Sequence, residues 1–225
     1  MILLKTCRLP HYFVFLLSTS ILIFVLATVW LLASIGLTFA EKSAFVAYVI
    51  DGDTIVLKKG TKVRYRGINS PEVPKRDKPG ETLGWKATEL NRELVQDRFV
   101  MLVQDDEKRD RFGRLLAYVF LPDGRMVNEI LVREGMAFVC FSQKGSPFSR
   151  KLLAAQREAI DAKRGIWSIT PVRPEAYYVG NRQSMRFHRP TCPYGKKTRK
   201  SNRVIFKSRY DACREGFCRC KKCLP

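Results

Sequence analysis

The sequence predicts an α+β fold, a small β barrel with helices packed against it, and three observations carry that expectation. Short β-branched and aromatic runs flank an Asp-Gly turn near residue 51. A stretch with helical spacing separates the third strand-like run from the fourth, and helical stretches follow the last one. Phe45, Val46, Val49 and Ile50 precede Asp51-Gly52-Asp53, and Ile55, Val56 and Leu57 follow it, a strong short-range hairpin signal. The third run, Lys62 to Ile68, carries Arg64 and ends at Asn69-Ser70-Pro71-Glu72, where proline stops the strand and drives Ser70 extended. Pro74 to Gly80 reads as an exposed loop. Ala87, Leu90, Leu94 and Val95 predict a helix over about 83–96, and Phe99 to Val103 a strand. After a charged connection, residues 114–120 form a further strand that ends at the turn Pro122-Asp123-Gly124. Met126, Val127, Ile130 and Leu131 predict a short helix stopped by Gly135. Leu152, Leu153, Gln156, Ala159 and Ile160 predict another that ends near Gly165, with Trp167 as a core plug.

This order would bring Asp53, Asn69 and Glu72 together at the mouth of a three-stranded sheet, with Arg64 close by. Oxygen donors beside a guanidinium suit a cation and a phosphate. Taken alone, Asp51-Gly52-Asp53 also fits a solvated turn. Asp51 can serve as a turn cap, and Arg64 can form an ion pair with Glu72.

Further along come Asp110-Arg111-Phe112-Gly113-Arg114, Asp123-Gly124-Arg125-Met126-Val127-Asn128, Leu131 to Ala137, Ala155-Gln156-Arg157-Glu158-Ala159 and Gly165-Ile166-Trp167. In this order and spacing, with the first turn, the set resembles the staphylococcal nuclease (thermonuclease) family over residues 44–168. The resemblance implies a five-stranded OB-type Greek-key barrel whose face holds nucleic acid. It also implies calcium-dependent hydrolysis of phosphodiester bonds in DNA with little sequence choice, RNA being left open. By resemblance, Asp53, Asn69 and the backbone carbonyl of Ser70 hold Ca2+. Arg64 and Arg114 match the catalytic arginines, and Glu72 the glutamate cast as general base. The sequence departs from the family pattern in two places. Asn69 replaces the second metal-binding aspartate, which keeps an oxygen donor and loses a charge. Phe112, Phe141 and Gln143 stand where tyrosines line the nucleotide pocket, so Phe112 and Phe141 keep rings for stacking without the phenolic hydroxyl.

The chain has 225 residues and a formal charge of +20, which points to an anionic partner, nucleic acid or an acidic membrane surface. No Asp, Glu, Lys or Arg occurs from Leu9 to Ala40, and Lys5 and Arg8 precede the run. Residues 1–40 therefore read as a signal peptide or a membrane anchor. Thr38-Phe39-Ala40 suits cleavage, and the length of the run suits a span. Either way the remainder lies outside the cytoplasm, secreted, periplasmic or tethered, and the membrane is a partner if the leader is retained. No protein partner is predicted.

A composition shift at 171–176 separates a nuclease-like barrel, residues 41–170, from a basic module, residues 176–225. Residues 172–225 hold 15 Lys and Arg against 3 Asp and Glu. His188-x-x-x-Cys192 and Cys220-x-x-Cys223 have the spacing of a small tetrahedral Zn2+ site. The segment resembles the zinc module of Ada-type DNA alkylation-repair proteins. There a cysteine stands at the position of His188, so structural zinc and DNA contact are implied and methyl transfer is not. Disulfides are the competing reading for an exported chain, with Cys213 and Cys218 as further partners and Cys7 and Cys140 as bystanders. Val204, Ile205, Phe206 and Phe217 are too few to fold so short a segment, so the module is expected to depend on metal and to stand apart from the barrel. Two other functions compete with the enzyme: a tethered nucleic-acid binder that does not cut, and a surface protein whose basic tail holds acidic lipid or polymer. Arg64, Glu72 and Arg114 favour the enzyme.

Overall fold

The structure, a computed structural model, describes residues 42–225 apart from 77, 106, 142–145 and 171–173. The expected leader and Gln143 lie outside the described residues. Among the described residues, no helix is long and apolar enough to cross a membrane.

Five strands close the barrel: β1 (Lys42–Asp51), β2 (Thr54–Leu57), β3 (Lys62–Tyr65), β5 (Phe99–Val103) and β6 (Leu115–Phe120). Their order round the wall is β1-β2-β3-β6-β5, with β3 and β6 parallel and the other pairs antiparallel. This is the α+β, OB-type barrel anticipated above. Register shifts at Val46/Tyr48 and Val49/Asp51 bend β1, which pairs with β5 through its first half and with β2 through its second. Val46, Ile55, Val63, Val100 and Val119, all fully buried, fill the interior.

The run expected from Lys62 to Ile68 is broken. Gly67 takes a left-handed conformation (φ 77°), so the chain turns out of the barrel. β4 (Ile68–Asn69) then pairs with β7 (Phe138–Val139) in a separate two-stranded ladder.

Buried amides pin the site-bearing backbone to the helices. From α1 (Gly84–Val95), Asn91 donates to the Asp51 carbonyl at 2.9 Å and accepts the Tyr65 hydroxyl at 2.8 Å. From α2 (Val127–Arg133), Asn128 donates to the Arg66 carbonyl and accepts the Val119 amide, both at 2.9 Å. Gly135 (φ 66°) stops this helix and packs so closely on Arg164 that an added Cβ would lie 2.2 Å from its carbonyl oxygen. α3 (Ser149–Asp161) follows, and then the buried Trp167, as expected.

The C-terminal segment builds a second sheet from β8 (Tyr178–Asn181), β9 (Arg186–His188), β10 (Arg203–Phe206) and β11 (Cys218–Arg219), in the order β10-β8-β9-β11. Short helices α4 (Pro193–Lys196) and α5 (Arg209–Arg214) complete it. Its apolar residues are not sequestered from the barrel domain. Tyr178, Phe187, Phe206, Ala212 and Phe217 share one core with Phe138, Ala159, Ile160, Ile166 and Trp167. Gln156 of α3, fully buried, accepts the Val139 amide at 2.7 Å and donates to the Cys213 carbonyl at 2.6 Å. Cys140, read above as a bystander, is disulfide-bonded to Cys218, 78 residues away. The pairing escaped the sequence because it depends on β7 meeting β11 in space.

Candidate active site

The turn between β1 and β2 is held by its own acids. Asp51 Oδ1 accepts the Asp53 amide at 3.1 Å, so Asp51 does cap the turn. Burial, and next the neighbouring Asp53, push the Asp51 carboxyl up to about 6. Asp53 Oδ2 accepts the Ser70 amide at 2.7 Å, which ties this turn to the end of β4. Arg64 stands between the two. Its Nη2 lies 2.9 Å from Asp53 Oδ2 and 3.1 Å from Asn69 Oδ1, while its Nη1 donates to the Tyr65 carbonyl at 2.8 Å. Asn69 Nδ2 in turn donates to the Ser70 carbonyl at 3.1 Å. Asp53, Arg64, Asn69 and Ser70 thus form one hydrogen-bonded cluster, in which two oxygen donors converge on a single positive point.

Arg114 faces this cluster across an open cleft of about 220 Å³ lined by Arg64, Asn69, Arg114 and Phe141 among others. A four-residue turn carries it. Gly113 (φ 77°) closes the turn with a 2.9 Å bond from its amide to the Asp110 carbonyl. The Asp110 carboxylate accepts the Phe112 and Arg114 amides and takes the Arg114 guanidinium at 2.7 and 2.8 Å. Burial alone would raise the Asp110 carboxyl, but Arg114 and those two amides together hold it below its ordinary value. Asp110 is thus a positioning residue that sequence reasoning missed. The available signal was an Asp three residues before the turn glycine.

Glu72 lies one step outside the cluster. Its side chain is about half exposed and meets Lys75 Nζ at 3.0 Å, so the Arg64–Glu72 pair, the alternative to a catalytic role, does not form; Arg64 takes Asp53 instead. The Glu72 amide donates to Glu81 Oε2 at 3.1 Å, and the Glu81 amide returns to the Glu72 carbonyl at 2.7 Å. Glu81 also pairs with Arg219 of β11, which stacks 4.5 Å over the ring of Phe138. The C-terminal sheet therefore braces the loop that carries Glu72. Glu72 lines a second, adjoining cleft, and Asn69, Arg186 and Lys221 line both. Of the two candidate stacking rings, Phe141 lines the first cleft. Phe112 stands exposed at the tip of the Arg114 turn under the guanidinium of Arg111, 4.7 Å from the ring centroid.

The ligand atoms of His188, Cys192, Cys220 and Cys223 lie within 4.8 Å of one another, with the first three residues buried. The amides of Arg189 and Lys222 point at Cys223 Sγ and Cys220 Sγ, each at 3.4 Å. None of these cysteines is in a disulfide. Burial, and next Arg186, hold the His188 imidazole below its ordinary value, in favour of the neutral form. Cys213 lies apart from the cluster, and burial pushes its thiol up to about 12.

Comparison with known proteins bears on the barrel. The profile of the family described as staphylococcal nuclease homologue matches residues 62–169. A thermonuclease of Staphylococcus hyicus is 35% identical over 139 residues, 60% of this chain and 82% of that protein. A thermonuclease of Staphylococcus intermedius is 35% identical over 129 residues, 56% of this chain and 76% of that protein. The endonuclease YncB of Bacillus subtilis strain 168 is 37% identical over 138 residues, 59% of this chain and 62% of that protein. Barrel, cleft and relatives together define a hydrolase of the nuclease class. The chain belongs to the staphylococcal nuclease family.

Proposed function

We propose that this nuclease is calcium-dependent and cuts DNA with little sequence choice, outside the cytoplasm, with RNA the second substrate to try. The observation that carries this reading is the cluster of Asp53, Arg64, Asn69 and Ser70 opening onto the cleft lined by Arg114. Oxygen donors that converge on one positive point fit a hard cation, so Asp53, Asn69 and the Ser70 carbonyl would hold calcium. Bound there, the ion would supply positive charge to the phosphoryl oxygens as they gain negative charge. Arg64 and Arg114 are each able to fork two donors onto a phosphate, and Arg64 Nη2, which now sits on Asp53 and Asn69, would leave those oxygens to calcium. Glu72 takes a proton from the attacking water, a role that rests on family likeness. Indifference to sequence follows from a site of charges for phosphate and a ring, Phe141, that meets any base by its face.

The second metal in this reading is structural zinc on His188, Cys192, Cys220 and Cys223. Its support is the close set of four ligand atoms, the burial of the His188 imidazole, and thiols left out of the Cys140–Cys218 disulfide. We assign residues 41–170 and 176–225 to the barrel domain and the zinc module, with the shared core as their seam.

The test is digestion of plasmid and single-stranded DNA by the purified full chain, with calcium, after calcium removal, and after its return. Cleavage that disappears and reappears with calcium is expected. Strands that are bound yet stay whole in calcium would instead identify the non-catalytic binder.

A further inference from the structure

The charges of the cleft divide unevenly. Arg64, Arg66, Arg114, Arg186 and Lys221 are the cations that line it. Three of them are neutralised in place, Arg64 by Asp53, Arg66 by Asp105 at 2.6 Å and Arg114 by Asp110. Arg186 and Lys221 have no carboxylate partner among the described residues. Both come from the C-terminal segment. Arg186 is fixed by donating from Nη1 to the Arg219 carbonyl at 3.1 Å and to Cys218 Sγ at 3.2 Å. Lys221 belongs to the turn Cys220-Lys221-Lys222-Cys223, so its backbone is clamped between two residues of the four-ligand cluster. The Cys220 amide fastens that turn to the Phe187 carbonyl at 2.9 Å. From there Lys221 lines the Arg114 cleft and the Glu72 cleft alike, within electrostatic reach of Arg64, Glu72 and Asp53. Lys222, between the same cysteines, lines neither.

A cleft that closes its own barrel arginines onto acids has little uncompensated positive charge for a polyanion. The C-terminal segment supplies it. We propose that Lys221 is a substrate-binding residue of the nuclease cleft, with Arg186 beside it, and that it takes a backbone phosphate neighbouring the scissile one. The inference rests on the nuclease reading for its substrate. It makes the thiol-imidazole cluster the mount for a cleft residue as well as a fold-stabilising device. An ammonium on a flexible stem serves as a point charge for phosphate, and the clamped backbone limits the freedom lost on binding.

The experiment uses the full chain as wild type, Lys221→Ala, Lys221→Arg and Lys222→Ala. Each is assayed on a single-stranded oligonucleotide and on a nitrophenyl phosphodiester that carries one phosphate. Binding of the same oligonucleotide is measured without added calcium over a range of salt. Lys221→Ala should raise the oligonucleotide KM about tenfold and lower the salt slope of binding by about one. Its kcat/KM on the one-phosphate diester should stay within about twofold of wild type, since that substrate has no neighbouring phosphate. Lys221→Arg should restore both oligonucleotide values, and Lys222→Ala should change KM little. An unchanged oligonucleotide KM and salt slope in Lys221→Ala would overturn the proposal. So would an equal fall on both substrates, or an equal effect of Lys222→Ala. A wild type that cuts neither substrate would count against the nuclease reading, while the salt slope would still decide whether Lys221 meets a phosphate.

Discussion

The barrel mouth and the C-terminal sheet reach the same cleft by opposite means. At the mouth, Arg114 and the oxygen donors are set by hydrogen bonds to buried or half-buried polar groups, while Glu72 lies one step outside and meets Lys75. Asn91 holds the Asp51 backbone, Asp53 holds the Ser70 amide, and Asp110 holds Arg114 through its turn. The core beneath is the barrel's own. The C-terminal sheet instead borrows its core from α3, β7 and Trp167, is fastened by the Cys140–Cys218 bond, and carries the His188 cluster. Charge follows the same division. The mouth neutralises its arginines, whereas the C-terminal segment brings to the cleft Arg186 and Lys221, which have no carboxylate partner among the described residues. Orientation is built where charges are paired, and attraction where they are not, because an ion pair fixes direction while it cancels the field seen by a distant polyanion.

The largest effect should come from the mouth. Arg114→Ala or Glu72→Gln is expected to lower turnover by about 10²–10³, the usual cost of one well-placed electrostatic group. The melting temperature should barely move, since both side chains are at least partly exposed. Near wild-type turnover in either variant would take that residue out of the site and leave the comparison without its catalytic half.

Next in size is the covalent tie. Replacing Cys140 and Cys218 together by serine opens a link that spans 78 residues. The expected loss is about 2–4 kcal/mol, or roughly 5–15 °C in the melting midpoint. Hydrogen exchange should place the loosening in β8 to β11 and spare β1, β2 and β3. Uniform loosening of barrel and sheet would mean that the two regions are one cooperative unit, and would blur the contrast.

The smallest effect concerns a single charge at the mouth. Asn69→Asp restores an anionic donor facing Arg64 and should lower the calcium needed for half-maximal cleavage several-fold. A calcium requirement that is unchanged or raised would show that Asn69 does not face the ion.

What the sequence disclosed, and what it withheld, follows the same boundary. The β1–β2 hairpin, α1, α2 and α3 were legible because apolar spacing and turn glycines are local signals. So was the grouping of Asp53, Arg64 and Asn69, since β3 and β4 are short and return directly to the first turn. The break at Gly67 was hidden by an unbroken β-like composition from Lys62 to Ile68. Asn91 and Gln156 read as ordinary helix residues, because nothing along the chain shows that their amides meet the Asp51 and Cys213 carbonyls 40 and 57 residues away. Cys140 and Lys221 went unread for the same reason: one is a lone thiol, the other a spacer in a ligand motif, until β7 and β11 come together. Local chemistry marked the mouth, and only tertiary contact revealed the second wall of the cleft.

Photocrosslinking shows directly whether barrel and C-terminal segment form one substrate cleft. A single strand bearing a photoactivatable base would be bound to the full chain without added calcium, irradiated, and the linked peptides identified by mass spectrometry. Crosslinks should fall both on the barrel peptide that carries Phe141 and on the peptide that carries Lys221, with competition by unlabelled strand removing the two together. Crosslinks confined to barrel peptides, with the 218–223 segment unlabelled at saturating strand, would mean that the C-terminal segment is no wall of the substrate cleft.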